Sequence, residues 1–277
     1  MSTPQSAATP DKFGILLRVG LFVILGWISM ILFPQVMEPL AGLMVTSALS
    51  KFAAAAVANA VTVRIYERGR LSDLGLGWTP KSLREFGIGA FTAALAATVI
   101  LVGPLAAGAA YFARVEGVEH PWSSFAFVSI VLLFGAAGEE MLFHGYAFQL
   151  LIRSIGPFAT ILPASALFAV AHMGNPNATA LSTLNTFEWG VLLGYAYLRT
   201  RALWMPIGLH FGWNFALPVF GVNLSGFTMG VTGYALRWRT GDLWSGGAYG
   251  PEGSVLTTII VIALFFAVRR VTPEPQA

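Results

Sequence analysis

Gly138-Glu139-Glu140-Met141-Leu142-Phe143-His144-Gly145 closes a run, Pro121 to Gly138, that contains no charged residue. Apolar sequence resumes directly after it. A charge at membrane depth costs about 2.5–3.5 kcal/mol on insertion scales, so two adjacent carboxylates there need partners or a task. On a helix, Glu140 and His144 stand four apart on one face and can pair. Glu139 is turned about 100° from that face and is left for another role. The plain alternative is a helix end at the membrane surface, where the glutamates are simply solvated.

The rest of the chain decides that the setting is a membrane. Of 277 residues, 56% are hydrophobic and only 10% charged, against about 25% charged in soluble domains. No polar stretch is long enough to build a separate soluble core. The formal net charge of +3 gives no reason to expect nucleic acid, because the basic residues gather in particular loops as membrane topology requires. Cysteine is absent, which excludes disulfides and thiolate metal sites. A metal would need carboxylates and the four histidines, His120, His144, His172 and His210.

The hydropathy pattern predicts an all-α, polytopic transmembrane helix bundle of about eight spans. They are Phe13–Phe33, Pro39–Arg64, Phe86–Ala113, Trp122 to about Leu150, Ile161–His172, Ala178–Leu198, Leu203 to about Phe220 and Ser254–Val268. Residues 1–12 and 271–277 read as short polar tails around one transmembrane domain, 13–270. The first span is too long for a signal-peptide core and has no small-residue cleavage site after it, so it reads as retained. Lys51 is the charge inside the second span, and its long stem could snorkel or pair internally. A Gly-rich loop, Gly221 to Gly253, precedes the last span.

Eight spans put both termini on one side. That side would hold Lys12, Arg18, Arg64, Arg68, Arg70, Lys81, Arg84, Arg153, Arg199, Arg201, Arg269 and Arg270, and the other Arg114, Arg237 and Arg239. The bias places both termini in the cytoplasm and predicts a multi-pass protein of the plasma (inner) membrane. Ser72 and Ser245 then lie on opposite sides. Gly190/Gly194 and Gly208/Gly212 permit close helix approach, for which ordinary packing is a sufficient account.

Two more polar islands follow the glutamates. Phe168-Ala169-Val170-Ala171-His172 puts a ring and an imidazole four apart on one helix face. His210-Phe211-Gly212-Trp213-Asn214 does the same with an imidazole and an amide, with Gly208 and Gly212 on roughly the other side. A lone His in an apolar helix is more often a hydrogen-bonded core residue, and Asn in a membrane helix is commonly interhelical glue. Together the islands offer two carboxylates, two imidazoles and an amide from three helices. Those parts can activate a water and hold an oxyanion, and they are acceptable ligands for a zinc-like ion. His120, beside Pro121, reads as a solvated loop residue.

Glu-Glu-x-x-Phe-x-Gly, then Phe-x-x-x-His, then His-x-x-x-Asn resembles the CPBP intramembrane proteases, the CAAX prenyl-endopeptidase and bacteriocin-processing family. The likeness covers Glu139–Gly145, Phe168–His172 and His210–Asn214, in a helical context of about 122–220. It implies an intramembrane endopeptidase with a peptide or protein substrate in the lipid bilayer. Glu139 would be the base that activates water, His172 its assistant, and His210 and Asn214 the oxyanion donors. Glu140, His144 and Phe168 would support them. Glu140, His172 and His210 could instead hold a divalent metal such as zinc, and a metal-free mechanism stands beside that. The family's motif has Arg where this chain has His144. Arg would hold Glu140 in a permanent bidentate pair, whereas His is a counter-ion only while protonated.

Two other readings use the same residues. A proton-coupled transporter could relay protons through Glu139, Glu140 and His172, although no paired broken helices recur in two halves. A catalytically weak immunity or scaffold protein of the same fold is favoured only by His144. One geometric expectation stands against a single site: on straight helices, His172 falls at a different depth from Glu139 and His210.

Overall fold

The computed structural model describes residues 11–117 and 121–271, and among these every side chain except those of Ala41 and Pro121. His120 lies outside the described residues, as do the ends of both expected tails; Lys12 already belongs to the first helix.

Helix α1, Lys12–Glu67, is two arms, Lys12–Leu40 and Gly42–Glu67, meeting at Gly42, whose φ of 71° is the left-handed conformation that glycine accepts without strain. Pro34 and Pro39 precede the break, and each removes an N–H from the helical ladder. The arms fold back on one another: Arg18 Nη1 lies 2.6 Å from Glu67 Oε1, whereas 49 intervening steps of straight helix would separate them by about 70 Å. The two expected spans are thus a helical hairpin. A 3-10 turn at Leu71–Leu74 leads to α2, Pro80–Ala106, which opens with Thr79 and Ser82 capping one another and Pro80 in the first turn.

Helix α3, Pro121–His144, stops at Gly145, and a separate short helix, α4, Tyr146–Ile155, follows. Gly156 turns the chain into α5, Pro157–His172, entered through Pro157 as its sequence predicts. Then come α6, Ala180–Thr200, and α7, Trp204–Val219. The four-residue α8, Asp242–Ser245, and two 3-10 turns lie in the Gly-rich stretch before α9, Val255–Arg269. Each expected span therefore overlaps a helix for most of its length. Among the described residues, four helical segments are long and apolar enough to cross a membrane: Lys12–Leu40, Gly42–Glu67, Pro80–Ala106 and Trp122–Ile155. Helices α5 and α9 are apolar but shorter.

The all-helical expectation needs one correction. The third span, expected to reach Ala113, ends at Ala106, and Ala110–Arg114 is a strand, β1. It pairs antiparallel with β2, Tyr234–Trp238, in a register that sets Ala110 opposite Trp238 and Arg114 opposite Tyr234. An apolar run does not by itself separate helix from strand, and here Gly108 breaks the run while Tyr111 and Phe112 suit a strand. The pairing partner sits more than a hundred residues away, where only the fold can bring it.

The helices pack by backbone approach. Gly208 and Gly212 of α7 lie against the backbone of Phe86 and Ala90 on α2, with no room for a Cβ at either. Gly190 of α6 lies against Ser165 of α5. Leu101, Leu192, Leu209, Leu217 and Val261 fill the core among α2, α6, α7 and α9. Large apolar side chains face outward on the candidate spans, among them Phe13, Trp27, Leu40 and Phe91, which suits a lipid solvent.

Candidate active site

Glycine sets the position of the acidic pair. A Cβ on Gly138 would come within 2.6 Å of the Phe52 backbone nitrogen, so α3 can lie against the second arm of α1 only without a side chain there. That contact brings Glu139 beside Lys51. Lys51 Nζ is 2.6 Å from Glu139 Oε1, a charge-assisted hydrogen bond across two helices.

The break at Gly145 is held from the same arm. Asn59, buried on α1, accepts the Tyr146 N–H at Oδ1 over 2.7 Å and donates from Nδ2 to the carbonyls of Met141 and Ala55. An Asn placed there satisfies backbone groups that the interrupted helix leaves open. The interruption also removes the obstacle of depth. The 34-residue stretch 122–155 is not one straight rod, and α5 begins four residues earlier than Ile161. His172, the last residue of α5, thereby reaches the acidic pair.

Glu139 Oε2 lies 3.7 Å from His172 Nε2 and 3.8 Å from His210 Nε2. His172 Nδ1 is 2.8 Å from the Phe168 carbonyl. A carbonyl only accepts, so Nδ1 carries the proton there, and in the neutral ring Nε2 keeps its lone pair toward Glu139. Phe168 is buried, with its ring centroid 4.5 Å from that of His172 and 6.1 Å from that of His210. It forms a wall between the two imidazoles and the apolar interior.

Glu140 has no exposed surface and gives one oxygen to each of two imidazoles: Oε1 to His210 Nδ1 at 2.8 Å and Oε2 to His144 Nδ1 at 2.7 Å. His144 is 1% exposed and stands edge-on to Phe148. Neither residue is solvated at a helix end, and the pairing expected from their spacing is present. Asn214 follows His210 by one turn of α7, partly buried, and its amide makes no hydrogen bond to a described residue.

Of the metal ligands expected from sequence, Glu140 is already engaged. Both Glu140 oxygens already accept imidazole N–H groups, and His210 meets Glu140 through Nδ1 while His172 faces Glu139 instead. Among the described residues, no group of three His, Asp or Glu is arranged to hold a metal ion.

Sequence reasoning gave three residues around this cluster no place in the site. Lys51 was read as a charge inside an apolar span, able to snorkel or pair internally, with no partner named. Asn59 gave no signal beyond a polar residue in a helix. Glu252, in the Gly-rich stretch, accepts from Trp213 Nε1 at 3.2 Å and from both the N–H and Oγ of Ser225, tying the loop to α7 one residue before Asn214. Burial pushes its carboxyl above the ordinary carboxylate value, against the pull of the Ser225 and Trp213 hydrogen bonds.

Residues 121–216 match the family model of type II CAAX prenyl endopeptidases, described as Rce1-like. No curated protein matches the chain. The matched segment runs from the start of α3 through Asn214 and contains Glu139, Glu140, His144, Phe168, His172 and His210. Across residues 121–216 the chain is similar to the Rce1-like domain of the type II CAAX prenyl endopeptidases.

Proposed function

We propose that this protein is an intramembrane endopeptidase that hydrolyses a peptide bond with a water activated by Glu139. The observation that carries this reading is the convergence of Glu139 Oε2 with the Nε2 atoms of His172 and His210, at 3.7 and 3.8 Å, from three helices of an Rce1-like domain. A water among those atoms would give its proton to Glu139 as its oxygen adds to the scissile carbonyl carbon. The developing oxyanion would be met by the Asn214 amide and by His210 as an imidazolium, with Glu140 as counter-charge on Nδ1. Collapse breaks the C–N bond, and the proton held by Glu139 passes to the leaving amine. His172 orients the water through Nε2, its ring fixed by the bond to the Phe168 carbonyl.

Glu140 and His144 support His210 and do not meet the substrate. No step is routed through a metal; what supports this is that both oxygens of Glu140, one of the three ligands expected from sequence, already accept imidazole N–H groups. Stoichiometric zinc in active protein, with turnover lost on chelation and restored by metal, would reverse that part of the reading. The substrate class is a peptide or protein whose cleavage site enters the bilayer. A C-terminal peptide carrying a prenylated cysteine is the first to try, beside its unprenylated form.

The test is cleavage by the purified protein in detergent or proteoliposomes beside its Glu139→Gln form. Gln keeps the shape and an oxygen for Lys51 but takes no proton. Loss of cleavage with the melting temperature nearly unchanged is the expected result. Wild-type turnover in Glu139→Gln removes Glu139 as the base.

A further inference from the structure

We infer that Lys51 is a positioning residue of this site, one that holds Glu139 so that a single carboxylate oxygen faces the water; the inference rests on Glu139 being the base. Lys51 lies on the second arm of α1, outside the segment matched by the family model. It is the one Lys, Arg, Asp or Glu between Pro39 and Arg64. An ammonium in an apolar span is costly unless it is paired or has a task. Its position suits a task better than a neutralising contact on the lipid side. Lys51 Nζ takes Oε1 of Glu139 at 2.6 Å, and the other oxygen, Oε2, is the one that faces both imidazoles.

A glutamate on a flexible stem could turn either oxygen, or neither, toward the water. The ammonium occupies Oε1 and leaves Oε2 as the acceptor in the triangle with His172 and His210. Gly138, next in the chain, keeps the two backbones close enough for the contact. Lys51 takes up no proton in this role and touches neither water nor peptide. Its side chain remains about one-third exposed, so a small cation can reach the place it vacates.

The test uses the full chain and the same peptide assay. Lys51→Met is expected to lower kcat about 100-fold, the scale on which a misplacement of about 1 Å acts, and to leave KM within about twofold. Lys51→Arg restores a large part of the rate. Ethylammonium added to Lys51→Ala restores another part, which a merely structural lysine would not allow. Should Lys51→Met not fold, Lys51→Gln replaces it with the same expectation. Wild-type kcat in the neutral variant, a defect confined to KM, or a folded variant rescued by neither Arg nor ethylammonium overturns the inference. An inert Glu139→Gln beside an unaffected Lys51→Met sinks the role of Lys51 alone, whereas an active Glu139→Gln removes Glu139 as the base, on which the inference rests. One measurement needs no substrate: dicyclohexylcarbodiimide, which enters apolar sites, should join Lys51 to Glu139 as an amide detectable by mass spectrometry. Absence of that cross-link in folded protein removes the contact.

Discussion

At the scale of the residue, His144 shows how one position can be read from chemistry and then decided by burial. Its single bond to Glu140 is one of two imidazole N–H groups that satisfy a carboxylate with no exposed surface. Removing one donor leaves an oxygen of a buried charge without a partner, which costs about 1–3 kcal/mol or more. His144→Ala is therefore expected to lower the melting temperature and to reduce turnover, since Glu140 in turn holds His210. His144→Arg keeps a donor and a permanent charge. It should retain activity and flatten any loss of rate that wild type shows as pH rises. Thermal melts and a pH–rate profile of the three proteins check this, and a His144→Ala protein that matches wild type in both would remove the pairing from the mechanism.

At the scale of the element, the Gly-rich loop is an organised part of the site's surroundings. It contributes β2, α8 and the turn carrying Glu252, whose oxygens fasten the loop to Trp213 of α7 and to Ser225. Because burial raises the Glu252 carboxyl above its unfolded value, the folded chain keeps that proton to higher pH than the unfolded chain does. Stability is then greatest below the unfolded carboxylate value, about 4.3, and falls as pH rises from there through the folded value. Glu252→Gln should flatten that slope, because Gln has no proton to lose. Melting temperatures of both proteins from pH 4 to 8 give the comparison, and parallel slopes would show that another group is responsible.

For the whole molecule, a bundle of apolar helices brings Lys51, Glu139, Glu140, His144, His172 and His210 into one interior cluster from α1, α3, α5 and α7. We propose the orientation with both termini cytoplasmic, supported by the distribution of Lys and Arg over the loops. Because the chain has no cysteine, single introduced cysteines report topology directly. Ser72 is exposed and serves as one probe, but Ser245 is only 6% exposed, so Leu243, 57% exposed, takes its place. A membrane-impermeant maleimide applied to intact cells should label Leu243→Cys and spare Ser72→Cys until the membrane is opened. Equal labelling of both from outside overturns the orientation.

Much of this was legible in the chain because apolar length and period are local properties. The sites of the helices, the Gly208/Gly212 face of α7 and the Glu140–His144 pair all follow from spacing along one helix, which 3.6 residues per turn fixes before any tertiary contact forms. Three things were decided only by the tertiary structure. The strand at Ala110–Arg114 depends on a partner at Tyr234–Trp238, and a strand without its ladder has no local signature that separates it from the end of an apolar helix. The meeting of Glu139 with His172 depends on the break at Gly145, whose open backbone groups are satisfied by Asn59 from another helix. The capture of Glu139 by Lys51 joins residues 88 apart, across a contact that requires a glycine at 138. A sequence states which groups cannot remain unpaired in lipid; which partner each one finds is set by how closely the backbones are able to approach.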